Sequence, residues 1–216
     1  MTFQMEKKNN QDNPKLYEQP GHWNKLLGNP AFLEKARLIK AMIPEDVRRI
    51  LDAGCGDGAL TNMFLDTPYQ IVGMDRSQEA LKLVQTKKML GSLDNIPCSD
   101  GEFDLVICSQ VLEHLPRDIL SKAVVELARV AGKYLIISVP YKEQLRKQYT
   151  RCAQCGFIYH TWGHVRAFNS VDELRRLFPG FQVNTYYLCA RAYYMNPVVL
   201  FIKQFIGNEW AWDATA

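Results

Sequence analysis

The chain of 216 residues has no uninterrupted apolar run near the roughly 18 residues that a membrane span requires. Its first twenty residues, MTFQMEKKNNQDNPKLYEQP, lack an apolar core, which predicts no secretory signal. Charge of one sign is equally scarce. Lys and Arg number 26 against 23 Asp and Glu, and a net charge of +3 argues for neither a nucleic-acid nor a membrane partner. No internal repeat or low-complexity segment occurs, and 13 Gly and 10 Pro are too few for a fibrous or disordered class. Six cysteines are too sparse for a disulfide scaffold, and without a signal they predict reduced thiols and a cytoplasmic location. What is present is ordinary for a globular chain, 47% hydrophobic and 23% charged, at a length favouring one domain with at most a small insertion. One local excess breaks the pattern: two of the six cysteines and two of the four histidines fall between Cys152 and His164.

Residues 1–29 read as a polar N-terminal arm, 30–195 as the main domain and 196–216 as an apolar tail. Within the domain, Phe32, Leu33, Ala36, Leu38, Ile39 and Met42 follow near-helical spacing over 30–43, which Pro44 stops. Strands are expected at Arg49–Asp52, Gln70–Met74, more weakly at Lys88–Leu90, then at Phe103–Cys108 and Lys133–Val139. Helices are expected at Ala59–Leu65, after Ser77, and from Arg117 to Val130. Alternating helices and near-continuous apolar strands predict a doubly wound α/β fold with a mostly parallel sheet. The β-rich stretch Phe181–Met195 is expected as an antiparallel pair at the sheet edge.

The sequence Gly54-x-Gly56-x-Gly58 lies between a predicted strand and a predicted helix, where open α/β sheets bind ligands. Glycine lets the backbone turn and approach a ligand without a Cβ in the way. Asp75 ends the next strand, where a carboxylate accepts hydrogen bonds from ribose hydroxyls. Gly54-x-Gly56-x-x-Ala59 also satisfies a dinucleotide fingerprint, yet no tyrosine has a lysine four residues on, as common short-chain dehydrogenases require.

Four segments in order, ILDAGCGDGALT (50–61), IVGMDRSQEAL (71–81), GSLDNIPCSDGEFDLVICSQVLEHL (91–115) and KYLIISVPY (133–141), resemble the class I, seven-strand S-adenosylmethionine-dependent methyltransferases. The resemblance implies a seven-stranded sheet with S-adenosylmethionine as cofactor. It implies that Asp52 and the loop Gly54-Cys55-Gly56 hold the methionine end, that Asp75 takes the ribose hydroxyls and that Arg76 flanks the adenine. Where the family often carries an acidic residue for the adenine amino group, this chain has Ser92 followed by Leu93, so adenine contacts shift toward backbone groups. The end of the fourth strand, where Ser109, Gln110, Val111, Leu112, Glu113 and His114 stand, faces cofactor and acceptor. His114 is the leading candidate base for an acceptor that must lose a proton, and Tyr141 is a second candidate. Similar enzymes often fold an N-terminal segment over the cofactor. Tyr17 and Trp23 then either close the pocket as a lid or pack on the outside of the domain.

Cys152-x2-Cys155-x4-His160-x3-His164 offers four ligands suited to a tetrahedral structural Zn2+ in an insertion at about 150–168, similar to a zinc knuckle. The leading reading is a methyltransferase of a small-molecule acceptor such as a natural product, sugar or lipid-linked compound. Two alternatives stay open: an RNA methyltransferase using Lys142, Arg146, Lys147, Arg151 and Arg166 as a backbone-binding patch, which Glu143 interrupts, and a zinc-dependent binding module without catalysis. The tail segment PVVLFIKQFI is too short to span a bilayer but could pack on the sheet, pair two chains or touch a membrane surface.

Overall fold

A computed structural model describes residues 17, 18, 23, 28–151, 153 and 156–188. The first helix, α1 (Pro30–Ala41), starts from Asn29, whose side chain accepts from the backbone N–H of Ala31 and Phe32. It buries Phe32, Ala36 and Ile39, while Leu33, expected in the same stripe, is exposed. Strands β1 (Arg49–Ala53), β2 (Gln70–Asp75), β3 (Lys87–Leu90), β4 (Phe103–Ser109) and β5 (Ala131–Ser138) form one parallel sheet in the order β3-β2-β1-β4-β5. A short helix α2 (Gln78–Leu81) follows β2, capped by the Ser77 hydroxyl accepting from Ala80 N–H. The long helix α3 (Arg117–Val130) joins β4 to β5 and buries Leu120, Ala123, Leu127 and Val130 at helical spacing.

Successive residues of β1 face opposite sides of the sheet. Ile50 packs with Phe32, Ala36, Ile39 and Phe64 beneath α1, whereas Leu51 and Ala53 pack with Leu120, Ala123 and Leu127 of α3. Both faces are therefore covered, as near-continuous apolar strands require. The order of the sheet reverses beside β1: β2 and β3 lie to one side of it and β4 and β5 to the other. Ligands of such sheets sit outside the carboxyl ends of the strands at that reversal.

Three expectations change. The described sheet has five strands rather than seven, and Phe181–Leu188 contains no strand, so the described part of the expected antiparallel edge carries no ladder. The remainder of that stretch and the tail 196–216 lie outside the described residues. The helix expected over Ala59–Leu65 shrinks to a 3-10 turn, Thr61–Phe64. Pro68 disfavours helical backbone at Thr67, and the Thr67 hydroxyl and Lys40 ammonium take the Phe64 and Met63 carbonyls that a continuing helix would use.

After β5 the chain makes an excursion closed at its base. Tyr141 bridges Phe168, and Lys142 N–H donates to Phe168 O at 2.7 Å. Inside it, β6 (Tyr149–Arg151) and β7 (Ile158–His160) form an antiparallel pair with Tyr149 opposite His160 and Arg151 opposite Ile158. A last helix, α4 (Val171–Leu177), follows, capped by the Ser170 side chain accepting from Glu173 N–H. No described helix is long and apolar enough to cross a membrane.

Candidate active site

The glycine loop leaves the carboxyl end of β1. Gly54 has φ +81°, and its N–H and that of Cys55 donate to Met74 O at 2.8 and 2.9 Å, tying the loop to β2. A Cβ on Gly54 would lie 2.6 Å from Val111 Cγ2, so both conformation and space demand glycine there. Gly56 N–H donates to Asp75 Oδ2 at 2.8 Å, and Ser77 N–H donates to Asp75 Oδ1 at 2.9 Å. One carboxylate thus bridges the loop and the start of α2, and each oxygen keeps a second lone pair for another donor. Burial raises the Asp75 carboxyl above its ordinary range, opposed by those backbone N–H groups.

Asp52 lies buried under the loop and accepts from Thr61 Oγ1 at 2.6 Å. Burial pushes its carboxyl up to about 6 against the lowering effect of that hydroxyl. Burial likewise pushes the Cys55 thiol up, with Asp52 and Asp75 adding to the effect, so Cys55 stays a protonated packing group within the loop.

Tyr17 and Trp23 reach the same place. Trp23 Nε1 donates to Tyr17 O at 2.7 Å, and the Ser77 hydroxyl donates to that same carbonyl at 2.8 Å. The indole stands against the loop, since a Cβ on Gly56 would lie 2.9 Å from its Cζ3. The Arg76 guanidinium sits 5.1 Å over the Tyr17 ring. Ser92 and Leu93 follow β3; the Ser92 hydroxyl bonds the Asp94 carboxylate, and Leu93 is buried. Asp94 thus places an acidic side chain beside the serine that stands at the expected acidic position.

At the end of β4 the Ser109 and Ser138 hydroxyls are 2.8 Å apart, and Gln110 Nε2 reaches Ser138 Oγ at 3.3 Å. Gln110 holds φ +59°, an uncommon conformation for a side-chain-bearing residue, fixed by its N–H bond to Ser138 O at 2.8 Å. The next turn carries Glu113 and His114. Glu113 is fully buried, and burial pushes its carboxyl up to about 8. His114 Nδ1 lies 3.4 Å from Tyr17 Oη, and its ring meets that of His164 edge-on with centroids 4.8 Å apart.

The excursion after β5 folds back over this turn. Val165 N–H donates to Glu113 O at 2.9 Å, and the Arg166 guanidinium donates to Leu115 O. His164 Nδ1 is 2.6 Å from Glu143 Oε2, and His160 Nε2 is 3.5 Å from Glu143 Oε1, all three residues being buried. Burial lowers the His160 pKa, with Glu143 opposing. The structure therefore brings the expected His160 and His164 together with Glu143, a residue the sequence pattern treats only as an interruption of a basic patch. Cys152 and Cys155, the other half of the expected zinc set, lie outside the described residues. Tyr141 sits at the base of the excursion, with the Lys142 ammonium 5.2 Å from its ring centroid.

Residues 51–136 match the family described as a methyltransferase domain. An uncharacterised methyltransferase of Mycobacterium bovis is 31% identical over 108 residues, 48% of this chain and 42% of its own length. A ubiquinone biosynthesis O-methyltransferase of Thiobacillus denitrificans is 28% identical over 92 residues, 38% of this chain and 40% of its own length. The chain thus spans about half or less of the length of the curated relatives it matches. In fold, it superposes on a Thermotoga maritima protein described as an S-adenosylmethionine-dependent methyltransferase and possible histamine N-methyltransferase, with TM-score 0.56, 19% identity and 77% coverage of both chains.

Proposed function

We propose that this chain, whose residues 51–136 match a methyltransferase domain, transfers the sulfonium methyl group of S-adenosylmethionine to a small-molecule acceptor. In this reading Asp75 accepts from the ribose hydroxyls through the lone pairs its backbone donors leave open. The Gly54–Gly56 turn, over buried Asp52, receives the methionine end. Arg76, Ser92 and Leu93 border the adenine, and Tyr17 with Trp23 covers the cofactor. Transfer is an in-line displacement, so the protein contributes alignment and exclusion of water more than covalent chemistry. Ser109 and Gln110, fixed through Ser138, shape the wall past which the methyl group leaves.

One observation carries the choice of a small acceptor: the N-terminal lid and the excursion after β5 meet over the β4 turn. A Cβ on Gly163 would lie 3.6 Å from Tyr17 Oη and 3.7 Å from His114 Nδ1. Tyr17 and Gly163 thus approach each other over the β4 turn, which leaves less room for a polynucleotide strand than for a compact molecule. One of the basic residues that an RNA-binding patch would use, Arg166, is half-buried and donates to Leu115 O. The ubiquinone-pathway relative supports a hydroxylated acceptor by its printed activity.

The test incubates the full chain with S-adenosylmethionine and either a low-molecular-weight cell extract or total RNA. Release of S-adenosylhomocysteine that depends on the extract is expected. Release that depends on RNA instead would replace this reading by the RNA one.

A further inference from the structure

We propose that Glu113, His114 and His164 form a binding site for a first-row divalent metal ion on the acceptor side of the cofactor. A carboxylate oxygen of Glu113 and ring nitrogens of the two histidines lie within 4.8 Å of one another. Both Glu113 oxygens are buried without a hydrogen-bond partner among the described residues. A carboxyl group sealed from water with neither oxygen satisfied costs free energy that a cation would return.

The neighbouring residues have the chemistry of an outer shell. Glu143 Oε2 lies 2.6 Å from His164 Nδ1, and a carboxylate can only accept there, which places the ring proton on Nδ1 and leaves Nε2 as a ligand nitrogen. A carboxylate holding the far nitrogen of a metal-binding imidazole is the usual second partner of such histidines. His160 has the opposite tautomer. Its Nδ1 accepts from the backbone N–H of Trp162 and His164, each at 3.2 Å, so its proton sits on Nε2 and faces Glu143. With Nε2 protonated and 3.5 Å from Glu143 without a hydrogen bond, His160 stands beside that carboxylate rather than among the ligands, and the site needs neither Cys152 nor Cys155. This differs from the zinc set that the Cys and His spacing suggests.

Two imidazoles and one carboxylate leave coordination positions open and favour a first-row transition ion over Mg2+ or Ca2+. Bonds of about 2 Å would draw the three donors closer together. The backbone already holds both halves in place, because Val165 N–H bonds Glu113 O and Arg166 bonds Leu115 O. At the β4 turn, an ion would take the acceptor's hydroxyl oxygen as a further ligand. That role rests on the methyl-transfer reading, whereas the ion site itself does not.

The experiment titrates metal-free full-length chain with Co2+ and reads visible absorption and metal content. One Co2+ per chain is expected, without a thiolate-to-cobalt charge-transfer band. Glu113→Gln and His114→Ala should each abolish stoichiometric binding with an unchanged circular dichroism spectrum, His114→Ala serving if Glu113→Gln fails to fold. Glu143→Gln should weaken binding about 10- to 100-fold, and a Cys152→Ser/Cys155→Ser double variant should bind as the wild type does. The site is overturned if the wild type takes up no Co2+ or if both ligand variants bind normally. A thiolate band that the cysteine double variant loses would overturn it equally. A wild type that takes one Co2+ yet binds no S-adenosylmethionine would leave the ion site standing and remove the methyl-transfer reading.

Discussion

The glycine loop after β1 and the excursion after β5 both pack on the turn after β4 but are built by different means. The loop is specified locally. Gly54, Gly56 and Asp75 lie on consecutive strand ends, and each contact is a backbone bond or a close approach dictated by the parallel register of β1 and β2. The excursion is specified at a distance. Its buried residues Glu143, His160 and His164 come from separate stretches, and they meet the β4 turn only because Tyr141 and Phe168 close its base. A region tied to the sheet can serve one shared cofactor, while a region hung from the sheet at two points is free to vary its acceptor chemistry.

Three substitutions sharpen this contrast. The largest effect is expected for Gly54→Ala, where a left-handed backbone and the 2.6 Å approach of Val111 together cost about 2 to 4 kcal/mol. Denaturant melts should show that loss and a partial recovery in Gly54→Ala/Val111→Ala. If Gly54→Ala is as stable as wild type, the loop is not the tightly packed turn described.

Next comes the charge beneath the loop. The Asp52 carboxyl is raised by burial from 3.8 to about 6, so between those values the folded chain holds a proton that the unfolded chain releases. The stabilisation is complete below about pH 4 and is lost as pH rises through about 6, a loss on the order of 3 kcal/mol. Cofactor-free protein should therefore weaken on going from about pH 4 to pH 7 by that amount more than Asp52→Asn does. Equal slopes for the two proteins in urea melts would remove Asp52 as the source.

The smallest effect belongs to the proposed cover formed by Tyr17 and Trp23. Trp23→Ala should weaken S-adenosylmethionine binding about tenfold, roughly 1.4 kcal/mol, while leaving the melting temperature unchanged. Unaltered affinity would mean that the indole only covers the outside of the domain.

Much of the loop region was readable in the sequence, and much less of the excursion. Apolar runs mark β1, β2 and β4, and the spacing of Leu120, Ala123, Leu127 and Val130 marks α3 to its observed ends. Glycines and Asp75 stand out because their roles depend on neighbours one strand away. Thr61 was hidden, since a hydroxyl in a turn has no pattern pointing to Asp52. Glu143 is hidden more deeply, since it looks like a surface carboxylate among polar residues and only tertiary closure buries it beside the histidines. Glu113 lies in the segment expected to face the acceptor, but nothing in the sequence signals its complete burial. The spacing of Cys and His marks the segment whose two histidines meet Glu143 but does not indicate which groups share its interior. Over Phe181–Leu188, the described part of the expected edge, no ladder forms, because β-propensity says nothing about whether a partner strand is in reach.

The account rests most on the loop and Asp75 forming the cofactor's ribose and methionine site. The most direct measurement is calorimetric titration of the full chain and of Asp75→Asn with S-adenosylmethionine. A single site per chain is predicted, with affinity reduced about 10- to 100-fold in the variant, matching the loss of a charged acceptor. Absence of binding by the wild type, or equal affinity in the two proteins, would contradict it.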